Sequence, residues 1–147
     1  MAHSGMRVVN WTTFGETRDL IGSDFPRILG YYREDAAKYV VAVEQAYRIR
    51  DAVAMVRPAH TLKGDSLQFG GEALGALAER IEQSARNSVE MQAPPEKLDD
   101  EILQLRPLLI ETLAHFEREI SRSAAPVVAT GPFRRPAVAA GFGRKQA

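Results

Sequence analysis

Four stretches of this 147-residue chain place their apolar residues at steps of three and four, and that period commits the chain to helices. The first stretch opens at Ser23-Asp24, residue types that cap helices, with Pro26 in the first turn where a missing N–H is harmless. Phe25, Ile28 or Leu29, Tyr32, Ala36, Tyr39 or Val40, Val43, and Ala46 or Tyr47 then follow on one face. The second runs from about Asp51 to Phe69 and stops at Gly70-Gly71. Pro58 lies inside it and predicts a bend or a separate short piece before it. The third, Glu72 to Asn87, aligns Leu74, Leu77, Ala78, Ile81 and Ala85. The fourth follows Pro94-Pro95 and aligns Leu98, Ile102, Leu105, Leu109, Leu113, Phe116 and Ile120, with Pro107 predicting a second kink. Thr13 to Ile21 reads as a short extra helix ended by Gly22.

No segment alternates as a strand would. The expected architecture is all-α, an antiparallel four-helix bundle with a short extra N-terminal helix. Charge divides the chain in two. Residues 1–121 carry a net −5 and residues 122–147 a net +5, with no acidic residue after Glu119. The domain is therefore expected over 12–121, followed by a basic, disordered tail over 122–147. An acidic body argues against nucleic-acid binding. No stretch has the ~18–20 apolar residues of a membrane span, and the first residues lack the apolar run of a signal peptide. There is no cysteine, hence no thiol nucleophile and no zinc–thiolate site. These features predict a cytoplasmic protein without membrane or nucleic-acid partners.

The second stretch carries the chemistry. With His60 set at zero on a 100° wheel, Lys63 falls at about −60°, Gly64 at about +40°, Leu67 at about −20° and Gln68 at about +80°. Met55, Ala59, Leu62, Ser66 and Phe69 gather on the other side, the predicted core face. His60 is thus expected to face solvent beside a cation, a glycine and an apolar residue with no internal partner. Gly64 inside a helix costs about 1 kcal/mol relative to alanine, and such a glycine often marks close approach by another molecule. Lys63 would offset anionic oxygens near the ring and disfavour imidazolium. An exposed nucleophile, a cation and steric clearance suit acceptance of a phosphoryl group.

The run Ala59-His60-Thr61-Leu62-Lys63-Gly64-Asp65-Ser66-Leu67-Gln68-Phe69-Gly70 resembles the signature of histidine-containing phosphotransfer (HPt) domains: His-x-x-Lys-Gly, two small residues, then an apolar residue and Gly. Leu74, Leu77, Ala78, Ile81 and Glu82 are similar to the family's next helix. The resemblance implies a phosphorelay intermediate that exchanges a phosphoryl group between His60 and the aspartates of response-regulator receiver domains. It implies Lys63 as the phosphate-stabilising cation and a docking surface of Gly64, Leu67, Gln68 and Arg86. The implied partners are receiver domains, a hybrid histidine kinase, or both. It implies no cofactor or metal of the chain's own, with Mg²⁺ supplied by the receiver. The competing reading is a non-phosphorylated adaptor that binds and regulates a receiver or kinase. An ATP-dependent kinase is not expected, because no phosphate-cradling glycine loop is present.

One departure stands out: Asp65 occupies a position where the family has a small residue, and a carboxylate there needs a hydrogen-bond or cation partner. Glu72, Glu79 and Glu82, with Arg80 and Arg86 nearby, read as a solvated charged face. His115 reads as an ordinary surface or core-edge histidine, and one of Tyr31-Tyr32 as core. Phe133-Arg134-Arg135 and Phe142-Gly143-Arg144-Lys145 read as parts of the disordered tail.

Overall fold

The computed structural model describes residues 6–129, with side chains through Ser123. It is all-α, as the periodicity predicts. Helix α1 (Trp11–Ile21) leads through a 3₁₀ turn (Gly22–Asp24) into α2 (Phe25–Arg48). Helices α3 (Ala52–Gln68), α4 (Glu72–Glu90) and α5 (Asp99–Ala129) follow. The only extended pairing among the described residues is one antiparallel bridge, Val9 to Gly71. No helix of these residues is long and apolar enough to cross a membrane.

Local chemistry accounts for the ends. Asn10 caps α1, its side chain accepting from the Thr13 N–H at 3.2 Å, and Gly22 at φ +80° ends it. Asp51 caps α3 by accepting from the Ala54 N–H at 3.1 Å. Asp24 does not cap α2 with its side chain, because the 3₁₀ turn already holds its backbone in helical geometry. Its carboxylate pairs with Arg27 instead, at 2.8 Å.

Neither proline divides its helix into two pieces. Pro58 and Pro107 lie inside continuous helices. A proline deletes one rung of the hydrogen-bond ladder, and here the flanking turns are held by burial. Ala52, Met55, Ala59 and Leu62 are buried around Pro58, and Leu105, Leu108 and Leu109 around Pro107. Helix α5 also runs past residue 122 to Ala129: Ser123, Ala124 and Ala125 lose the amphipathic pattern but remain compatible with a helix. The rest of the expected tail, residues 130–147, lies outside the described residues.

Residues up to His115 form one compact unit; the chain from Phe116 onward forms another. The first unit's core joins Phe14, Phe25 and Phe69 with Met55, Leu62, Leu74, Leu77 and Ile81, all buried. Rings Phe14 and Phe25 meet edge to face at 5.2 Å. Tyr32 is the buried tyrosine of its pair, its hydroxyl 2.8 Å from Ser66 Oγ. Tyr47 OH donates to Asp99 at 2.8 Å and accepts from the Leu98 N–H at 3.1 Å, fixing the start of α5 against α2.

The α3–α4 turn is tied to the N-terminal segment. Asn10 N–H donates to the Gly70 carbonyl at 2.7 Å, and Glu72 N–H to the Val8 carbonyl at 3.1 Å. Thr17 Oγ1 donates to the Gln68 carbonyl at 2.6 Å. Gly70 is the pivot, at φ +90°, where a Cβ would sit 2.5 Å from the Asn10 carbonyl oxygen. Gly70→Ala should therefore destabilise the fold by about 2–4 kcal/mol, read as a lower urea midpoint with an unchanged slope.

Candidate functional site

His60 sits on the outer face of α3 with its side chain 57 % exposed. Its ring is nevertheless held. Nδ1 lies 2.8 Å from Oε2 of Glu82 on α4. The same Glu82 receives the Arg86 Nε–H at 2.8 Å, and its Oε1 lies 3.0 Å from Lys63 Nζ. Three cationic or ring nitrogens thus converge on one carboxylate whose residue is only 4 % exposed.

Burial alone would raise the Glu82 pKa. The hydrogen bonds from Lys63, Arg86 and His60 outweigh it and hold the carboxyl at about 2. Glu82 is therefore ionised at neutral pH and can only accept hydrogen bonds. It follows that Nδ1 carries the proton in the neutral ring and that the lone pair is on Nε2. No protein group among the described residues occupies Nε2.

Glu82 is the correction that matters most to the sequence reading. It is not part of a solvated face with Glu79 and Arg80, both of which are exposed. It follows Ile81 and stands one turn beyond Ala78, at the edge of the stripe that α4 buries. A carboxylate at such an edge, with His60, Lys63 and Arg86 available, was the signal. Lys63 belongs to the same cluster. Its ammonium is drawn to Glu82, with the side chain 24 % exposed. With a neutral ring, Lys63, Arg86 and Glu82 together leave one net positive charge beside His60.

The other expected residues fall as follows. Gly64 is exposed with open space around its Cα, and Gln68 and Arg86 are also exposed. Leu67 is 43 % exposed but has an internal partner: a Cβ on Gly75 would meet Leu67 Cδ2 at 2.5 Å, so Leu67 lies over that glycine. Wheel geometry on a single helix could not show this, because the partner is on α4. Asp65 has no hydrogen bond or ion pair at its carboxylate among the described residues. It is half-buried, and burial together with the negative charge of Asp35 pushes its pKa up; its exposed part leaves room for water to serve as partner. His115 lies 3.9 Å from Glu111, one turn away on α5.

The sequence profile of the Hpt domain matches residues 27–122. The chain belongs to the Hpt family. Two solved Hpt structures share its fold. One is the histidine-containing phosphotransfer protein B (HptB) from Pseudomonas aeruginosa PAO1, 21 % identical, with a TM-score of 0.70, covering 80 % of this chain and 98 % of that one. The other is the HPT domain from the Hpt sensor hybrid histidine kinase of Shewanella, 21 % identical, with a TM-score of 0.62, covering 85 % of this chain and all of that one. A search of curated protein sequences gave no match. Hpt domains work with histidine kinases and response regulators, and the role of this Hpt domain is histidine phosphotransfer in a phosphorelay.

The depressed pKa of Glu82 fixes the sign of a pH effect. Its ionised form contributes stability that is fully present above the ordinary value of 4.5 and is lost as pH falls toward 2. His60 and Arg86 reach into solvent, so screening holds this contribution to the order of 1–2 kcal/mol. Glu82→Gln should be less stable than the parent chain by that amount at pH 7. The difference should shrink between pH 4.5 and 2, as followed by urea unfolding.

Proposed function

We propose that His60 is the phosphoryl acceptor and donor of this Hpt domain, and that Nε2 is the reacting atom. The observation that carries this reading is the Nδ1–Glu82 bond, which leaves Nε2 as the free nucleophile. The Nε2 lone pair attacks phosphorus of a receiver's aspartyl phosphate. The acyl C–O–P linkage breaks at the P–O bond, and the aspartate carboxylate leaves with the electron pair. The ring gains positive charge as the N–P bond forms, and the Glu82 carboxylate at Nδ1 stabilises it. Reversal returns the phosphoryl group to a second aspartate.

Lys63 and Arg86 supply the positive charge that faces the phosphoryl oxygens. Gly64 clears the approach, and Leu67, Gln68 and Arg86 contact the docked receiver. The donors here do not suit a divalent cation, because Glu82 already holds three partners. The Mg²⁺ of the reaction belongs to the receiver, where it offsets phosphate charge. The partners are receiver domains, free or within a hybrid histidine kinase, in the cytoplasm. The transfer domain is residues 12–121.

A receiver phosphorylated with acetyl phosphate should label this chain with acid-labile, base-stable phosphate, whereas ATP alone should not. His60→Gln should abolish the label without changing the helical spectrum. Lys63→Ala should slow transfer roughly tenfold, equivalent to about 1.4 kcal/mol in the barrier. Undiminished labelling of His60→Gln would refute the assignment. Receiver binding without any transfer would favour the adaptor.

A further inference from the structure

Helices α3 and α4 run antiparallel, and three facing pairs mark their outer seam at seven-residue intervals: Leu67 with Gly75, His60 with Glu82, and Val53 with Val89. The seam differs at its two ends. At the first pair Leu67 fills the space over Gly75, so the seam is closed. Beyond His60 in the other direction it opens into a groove of about 830 Å³. Val53, Val56 and Val89 supply apolar surface, and Arg57, Arg86 and His60 line the same groove. A second hollow of about 600 Å³ continues it past Val53 and Val89 to Ile49 and Arg50.

Three features of this trough indicate an occupant. Val53 is 69 % and Ile49 71 % exposed, an unusual outlay of β-branched surface beside a reacting group. Arg57 has no ion pair among the described residues, while Arg86 is engaged only at Nε; Glu90 is the one acidic residue lining the first groove. The trough is also continuous with the transfer site, because His60 and Arg86 belong to both.

We propose that the trough on the Val53 side of His60 is the specificity surface for the receiver. It would take an apolar projection of that domain rimmed by carboxylates, whereas the seam is closed at Leu67 on the other side of His60. The charge argument selects this occupant: a domain that presents an aspartate at His60 brings acidic surface to Arg57 and Arg86, and the valines seat the side chain that fixes its register. The proposal rests on the reading of His60 as phosphoryl carrier, and it extends the docking surface to residues outside the His-x-x-Lys-Gly run.

The test uses the full chain and receiver domains of the encoding organism, each phosphorylated with acetyl phosphate. Val53→Asp and Arg57→Glu replace exposed side chains, so folding should persist, as a retained melting transition would verify. Each should raise the KM for the phosphorylated receiver at least about tenfold with little change in the rate at saturation. Ile110→Asp, on the exposed face of α5, should stay within about twofold of the parent chain. If no receiver labels the parent chain, the phosphoryl-carrier reading falls and the trough assignment with it. If the parent chain is labelled and both trough variants keep its KM, the trough assignment alone falls.

Discussion

The site depends on a single buried carboxylate. Glu82 orients the His60 ring through Nδ1, anchors Lys63, and turns Arg86 toward the same point. An ionised group buried without partners would be costly, and one partner would compensate it poorly. Three partners compensate it, and the cluster joins α3 to α4 at the level of His60. The His60 side chain can then stand on an open helix face, 57 % exposed, yet keep a defined ring orientation. Exposure is what a partner domain needs, and a fixed ring is what an in-line displacement needs.

Much of the fold can be read in the sequence because most of its determinants are local. The stripe from Phe25 to Tyr47, the Asp51 cap and the Gly22 and Gly70 stops each act within a turn or two. Prediction failed where a decision belonged to two elements at once. Pro58 and Pro107 carry a local cost, but the turns that flank them are buried in the tertiary structure. On the α3 wheel alone Leu67 has no internal partner, because Gly75, the residue it covers, lies on α4. In the sequence Glu82 reads as surface, because Glu79 and Arg80 beside it are exposed. Its burial follows from the register of α4 against α3, which no single-helix wheel contains.

The same distinction separates the parts of the site. His60, Lys63 and Gly64 form one contiguous run and can be found by motif and wheel alone. Arg57 and Val53 also lie on that face of α3, one and two turns before His60, but they stand out only once Val89 is seen across the seam. Asp65, the evident departure from the family pattern, lies on the side of α3 that faces Asp35 on α2. It alters the charge of that side and leaves the reacting atoms alone.

The spacing of the three seam pairs sets a scale. Seven residues of helix span about 10.5 Å, so the strip from Leu67 to Val53 is about 21 Å long with His60 at its midpoint. A partner burying about 800 Å² per side covers a disc of roughly 16 Å radius. Any domain centred on His60 therefore overlies both ends of the strip, and two such domains cannot be bound together. The geometry thus excludes a ternary assembly on this face: one partner must leave before the next can dock.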